Sequence, residues 1–286
     1  MKYMRQEKEM EALLLCHALE KGMGMAKVKP GYGEKKAKRL MVLLPQLLTE
    51  QGETYLEKEC ISVLEAYLRH RREMGSGLKE MEQAYQKLVN HRSSRLPAGC
   101  MEIPRAELLK GMEVDFQTLI KTRHSVRKFA DDRIQLEEME RAIQMAIQSP
   151  SACNRQPWKV YYSLDREKNR RVAELIPGNQ GFREDIPYYA VITVDRRLFG
   201  GNEIFQWYVN GGIFAAYLML ALHTEGIGSC SFQWPDFYST EKALKRLAGI
   251  PKSEVVIMAL GYGKYPEQAR CIAASRKGSQ DVLVNF

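Results

Sequence analysis

The stretch from Ile204 to Leu222 is apolar at most of its positions, so any fold for this chain has to supply cover for it. Its length is that of a membrane-spanning helix. It is interrupted by Gln206, Asn210, Gly211 and Gly212, however, and it stands alone in the sequence. A helix buried in a protein core or in a dimer interface is therefore the expectation, with no membrane partner. A chain of 286 residues with 45% hydrophobic content is long enough to bury such a helix, as one large domain or two of ordinary size.

The chain changes texture near Gly111. Before it, Glu9 to Lys21 carries few β-branched residues and meets Gly22, a candidate C-cap. Helical patterning continues over Lys35 to Leu48, Tyr55 to Met74 and Leu78 to Val89, broken at Gly75-Ser76-Gly77. Ser93 to Gly99 reads as a linker, so residues 1–112 form a helical N-terminal region and 113–286 a second domain. In the second part, Leu136 to Gln148 is an amphipathic helix stopped by Pro150. Trp158 to Tyr162, Tyr188 to Val194, Ser229 to Phe232 and Val255 to Leu260 read as strands, and Glu241 to Leu247 as a helix. Strands separated by helices predict an α+β or α/β sandwich.

The formal net charge of +8 favours anionic partners without choosing among them. The six cysteines form no C-x-x-C pair and no Cys/His zinc spacing, so no metal site is expected. The N-terminus has no signal-peptide architecture, and the expected compartment is the reducing cytoplasm. Cys230 has no histidine near it in sequence and reads as a buried apolar residue rather than a nucleophile.

Four segments could carry chemistry. In Arg123-His124-Ser125-Val126-Arg127, an extended backbone aims positions 123, 125 and 127 the same way. Two guanidinium groups and a hydroxyl then converge, which suits phosphate oxygens; the alternative is a solvated basic loop. Ser149 to Trp158 is a stiff loop of small residues, an amide pair and two prolines. It would wall a flat heteroaromatic, or simply join a helix to a strand. Gly226 to Pro235 and Ala274 to Lys277 are unremarkable alone.

In this order and spacing, from about Phe116 to Phe286, the four segments resemble the nitroreductase family of FMN-dependent oxidoreductases. They match an R-x-S-x-R-like opening, an S-P-S-x-x-N-x-Q-P-W loop, a long central helix, a G-[LI]-G-[ST]-C segment, a late L-G-Y-G and a terminal Ser-Arg. The resemblance implies a three-layer α/β/α sandwich, here with a helical N-terminal extension. It implies FMN as cofactor, NADH or NADPH as electron donor, and a homodimer with FMN at the interface. It assigns Arg123, His124, Ser125 and Arg127 to the ribityl phosphate and nearby ring edge, joined by Arg276. Pro150, Ser151, Ala152, Cys153, Asn154 and Gln156 of a partner subunit would cover the isoalloxazine. Ser231, Phe232, Gln233 and Trp234 would lie on the other side, and Gly178-Asn179-Gln180 at the pyrimidine edge. The Gly211-Gly212 pair would permit close backbone approach in the dimer. The chemistry would belong to the cofactor, so no general acid or base is assigned.

The implied activity is hydride transfer from NAD(P)H through flavin N5 to a nitroaromatic, quinone or related small molecule. Gln233 and Trp234 depart from the acidic residue and glycine common there, and a dehalogenase or another specialised flavin chemistry is a variant of the same reading. His17, Glu20 and Lys21 share one helix face and read as a solvated or interdomain ion-pair surface, or else as lining of the flavin site. A competing reading is a nonredox flavin- or anion-binding protein whose basic helical region contacts a macromolecule. Glu7, Glu9, Glu11, Glu50, Glu53, Glu57 and Glu59 are interleaved with its basic residues and no nucleic-acid motif appears, so no nucleic-acid partner is expected.

Overall fold

In a computed structural model of the chain, all eight residues of strand β3 (Tyr188–Asp195) are buried. Such a strand needs cover on both faces, and the fold supplies it. The structure describes residues 2–48, 54–89, 95–113, 115–152, 155–235 and 238–286. Their contacts divide the chain into two compact units, residues 1–101 with 272–286 and residues 102–271. The texture of the sequence changes near Gly111; the division by contacts falls ten residues or so earlier and returns the C-terminal segment to the first unit.

In the second unit, β3 lies inside an antiparallel sheet of order β2-β3-β5-β4, with β2 Trp158–Tyr162, β4 Ile227–Gln233 and β5 Glu254–Lys264. Tyr188 pairs with Tyr262, and the register shifts between Ile192 and Thr193. Strand β5 runs through Gly261-Tyr262-Gly263 rather than stopping before it. Gly263 allows this, because a Cβ there would lie 2.8 Å from both Phe129 and Pro187. Tyr188, Ala190 and Ile192 face helices α7 (Leu136–Ala146) and α9 (Ile204–Thr224). The opposite face meets α8 (Arg166–Leu175), where Asn169 Oδ1 accepts the Tyr189 N–H at 2.7 Å, and α10 (Tyr238–Ala248) packs beside α8. The result is the expected α+β, three-layer sandwich.

Helix α9 is buried on one face, through Phe214, Ala215, Leu218 and Leu222. Its other face stays open, with Phe205 75% and Tyr208 54% exposed. Gly211 is the point of closest approach to the sheet, since a Cβ there would sit 2.5 Å from Ile257 Cγ1; Gly212 faces open space.

In the first unit, helices α1 (Lys2–Met23), α2 (Glu34–Leu47), α3 (Tyr55–Glu73) and α4 (Lys79–Leu88) enclose Leu19, Leu40, Leu44, Ile61, Leu64 and Tyr67. A capping box between Thr54 and Glu57 starts α3. Gly22 does not end α1, contrary to expectation. It lies in the last turn and makes room for the Tyr32 ring, which a Cβ would approach to 2.0 Å. Glu20 is likewise not solvated: it is buried and accepts the Gly99 N–H at 3.1 Å. The C-terminal segment is tied into this unit by Ala273 N–H to Gly99 O at 2.9 Å and by a contact between Tyr55 Oη and Ser275 Oγ at 3.1 Å. Ser275 Oγ also donates to Glu59.

Candidate functional site

Helix α6 (Phe116–Thr122) is short, capped at its N-terminus by Asp115, whose carboxylate accepts the Gln117 and Thr118 N–H groups. Those bonds hold the Asp115 carboxyl below the usual range, the Thr118 backbone contributing most. The chain leaves α6 extended at Arg123 and runs beside β4. Ser125 forms a parallel bridge with Ser229, and the Val126 N–H donates to Ser229 O at 3.1 Å. The basic segment is thus fixed by its backbone to the sheet.

Arg127 is the unusual member. It is 8% exposed, and its guanidinium lies 5.8 Å from the centre of the Phe182 ring. Among the described residues no carboxylate pairs with it and its Nε has no hydrogen-bond partner. The Oγ of Ser229, on the strand bridged to Ser125, is also buried and has no partner among the described residues. A buried cation without a counter-charge is costly, and such groups are normally satisfied by an acceptor.

The second segment leaves α7 through Ser149 and Pro150. Ser149 is 4% exposed and its Oγ lacks a partner among the described residues. Asn210, 2% exposed on α9, accepts the Ala152 N–H at 2.7 Å and donates to Gln206 O at 2.7 Å. Arg155 pairs with Glu203 at 3.0 Å, and the Ser151 Oγ accepts the Gln156 N–H at 3.0 Å. Gln156 has a φ of 44°, a left-handed conformation that non-glycine residues adopt at a cost. Its side chain is exposed and lines a cavity of about 690 Å³ with Met139, Ile143, Trp158 and Phe214. Cys153 and Asn154 lie outside the described residues.

In β4 the side chains alternate. Ser231 and Gln233 are exposed, whereas Phe232 is 5% exposed and packs on Phe182 and Tyr189. The Phe232 side chain is therefore core, and that position offers a ligand only its backbone. Trp234 is half-buried, with no hydrogen-bond partner for its indole N–H among the described residues. Cys230 is buried, as expected.

Asn179 is 1% exposed and its amide nitrogen donates to Ala173 O at 2.6 Å and to the Tyr189 hydroxyl at 3.2 Å, so that nitrogen holds its own loop. Gln180 beside it is exposed. Arg276 falls in the first unit and donates to the carbonyls of Ala274 and Ser275 at 2.6 and 3.0 Å. Its assignment to the phosphate rests on the resemblance alone.

Two side chains of the second unit escaped the reading of the sequence. Asn210 stands in an apolar helix, and a polar group there has to find a partner; that signal was present but the partner was not. Phe182, which receives Arg127, has no sequence signature at all.

The model of the nitroreductase family matches residues 120–180 and 177–264. A putative NADH dehydrogenase/NAD(P)H nitroreductase of Archaeoglobus fulgidus is 32% identical over 151 residues, which cover 51% of this chain and 84% of the relative. An iodotyrosine deiodinase of Thermotoga neapolitana is 25% identical over 173 residues, covering 52% and 89% of the two chains. Among solved structures, a nitroreductase family protein of Streptococcus pneumoniae superimposes with a TM-score of 0.51 at 22% identity, over 60% of this chain and all of that one. At that identity the likeness bears on the fold. The similarity lies in the sheet-containing unit and leaves most of the helical first unit uncovered.

Proposed function

The chain belongs to the nitroreductase family, and from that premise we propose that it is an FMN-dependent oxidoreductase, working as a homodimer, that carries hydride from NADH or NADPH through flavin N5 to a small acceptor such as a nitroaromatic or a quinone. The observation that carries the FMN assignment is the buried Arg127 guanidinium, unpaired among the described residues and next to the chain segment that also holds Arg123 and Ser125. FMN offers what these groups lack: phosphate oxygens for charge-assisted bonds and pyrimidine carbonyls for a buried donor.

When bound, the flavin supplies a two-electron hydride relay between donor and acceptor. The protein supplies position. Arg123, His124, Ser125 and Arg127 would hold the phosphate and the nearby ring edge. The backbone of Ser231 to Trp234 would contact the ring from β4. Ser149 to Gln156 of a partner subunit would exclude water from its other side, and the Asn210 bond to the Ala152 N–H would help to keep that loop in shape. The open face of α9, bearing Phe205, Tyr208, Val209 and Tyr217, supports the dimer, because exposed aromatic patches of this kind mark contact surfaces.

The purified protein should be yellow, or become so on adding FMN, and should bleach anaerobically with NADH or NADPH. A colourless protein that takes up no FMN would overturn the proposal. The similarity to an iodotyrosine deiodinase favours one variant, reductive dehalogenation of an aromatic substrate. Halide release from a halogenated phenol under nitrogen, set against nitroaromatic reduction, separates the two.

A further inference from the structure

We propose that His223 is a positioning residue for cofactor binding: it ties the last turn of α6, and therefore Arg123, to the ends of α9 and β5. The role presupposes the FMN reading above.

His223 is fully buried in the final turn of α9. Both ring nitrogens are engaged, Nε2 with Thr122 Oγ1 at 2.9 Å and Nδ1 with the Tyr265 hydroxyl at 2.7 Å. The directions of these bonds can be assigned. Thr122 has one hydroxyl proton and gives it to the Thr118 carbonyl at 2.7 Å, so towards the imidazole it accepts. His223 therefore carries its proton on Nε2, and bare Nδ1 accepts from Tyr265. Burial pushes the Tyr265 hydroxyl well above the ordinary tyrosine range, so it stays protonated and donates. Burial, followed by the neighbouring charges of Arg123 and His124, pushes His223 down to about 4. The imidazole is neutral at physiological pH and adds no charge beside the basic segment.

The relay runs in one sense: Tyr265 to His223 to Thr122 to Thr118. Its third member, Thr122, immediately precedes Arg123. Gly228 makes it possible, since a Cβ there would lie 2.8 Å from Tyr265 Cε1. That gives the second glycine of Gly226-Ile227-Gly228 a physical reason. The two rings meet edge to face, with centroids 5.7 Å apart.

A residue that orients only the phosphate end of the site should matter for FMN and not for riboflavin, which has no phosphate. The test is to measure both dissociation constants by fluorescence quenching on full-length apoprotein, for wild type, H223F, T122V and Y265F. Circular dichroism checks the fold. The expected result is a loss of FMN affinity of about tenfold in H223F, with riboflavin affinity unchanged. T122V and Y265F should shift the FMN-to-riboflavin ratio in the same direction by less. T122V keeps the side-chain shape and decides the matter if H223F fails to fold. An unchanged ratio in the folded variants, or equal loss of both flavins, overturns the role of His223 while leaving the FMN reading standing. A wild-type protein that binds neither flavin overturns that reading, and this role with it.

Discussion

Replacing Arg127 with methionine should move two quantities in opposite directions. Methionine preserves most of the buried volume and can still pack on Phe182, but it removes the charge. In the apoprotein, Arg127 is 8% exposed with no carboxylate partner among the described residues. Its desolvation is a standing cost, offset in part by a cation–π contact worth about 0.5–2 kcal/mol. Removing both should leave the apoprotein equally stable or more stable by about 1 kcal/mol. In the holoprotein the same guanidinium should donate a charge-assisted bond worth about 1.5–3 kcal/mol, so FMN affinity should fall roughly ten- to a hundredfold. Urea unfolding of the apoprotein reads the first quantity and FMN titration the second. If R127M destabilises the apoprotein by about 2 kcal/mol and binds FMN as before, Arg127 is a structural residue and the argument from its lack of a partner is wrong.

Three further outcomes can be checked. Gly211→Ala places a Cβ 2.5 Å from Ile257 Cγ1 and should cost about 1–3 kcal/mol in chemical denaturation; an unchanged midpoint would show that α9 can retreat from the sheet. Asn210→Ala removes the acceptor of the Ala152 N–H, so flavin should dissociate several-fold faster, about tenfold at most, and stopped-flow release at the wild-type rate would refute the role of Asn210 in shaping the loop. His223 binds its proton less tightly folded than unfolded, so between about pH 6.5 and 4 the unfolded state takes up more protons and stability falls as pH drops. Above that window the effect is absent; H223F should abolish this loss, which amounts to up to about 3 kcal/mol across the window, and equal slopes in both proteins would contradict the buried neutral imidazole.

Local patterns were legible in the sequence, and long-range commitments were not. Trp158 to Tyr162 reads as a strand and is one, because β-branched and aromatic residues suit a pleated surface. The basic character of Arg123–Arg127 is legible because it is carried by consecutive residues. Asn179 looked available for a ligand because nothing nearby in sequence reveals that Ala173 O and the Tyr189 hydroxyl consume its amide. Phe232 followed the same logic: the alternation of β4 decides that it turns into the core, and the phase of that alternation is set by pairing with β5. Glu20 read as a surface charge until the fold brought the Gly99 N–H to it. The C-terminal segment could not be allotted to the first unit from composition, because its ties run to Gly99, Tyr55 and Glu59, far away along the chain.

The bridge between Ser125 and Ser229 has a consequence for solubility. Strand β4 is the last strand of its sheet, and an outer strand with free N–H and C=O groups recruits strands from other molecules. Ser125 and Val126 occupy part of that ladder, so the backbone of the Arg123–Arg127 segment guards the sheet against self-association. Under the proposed function, changes to its side chains should weaken flavin binding and leave the guard intact. A deletion or a proline at Val126 removes a ladder partner as well, and would couple loss of the cofactor to aggregation in a single lesion.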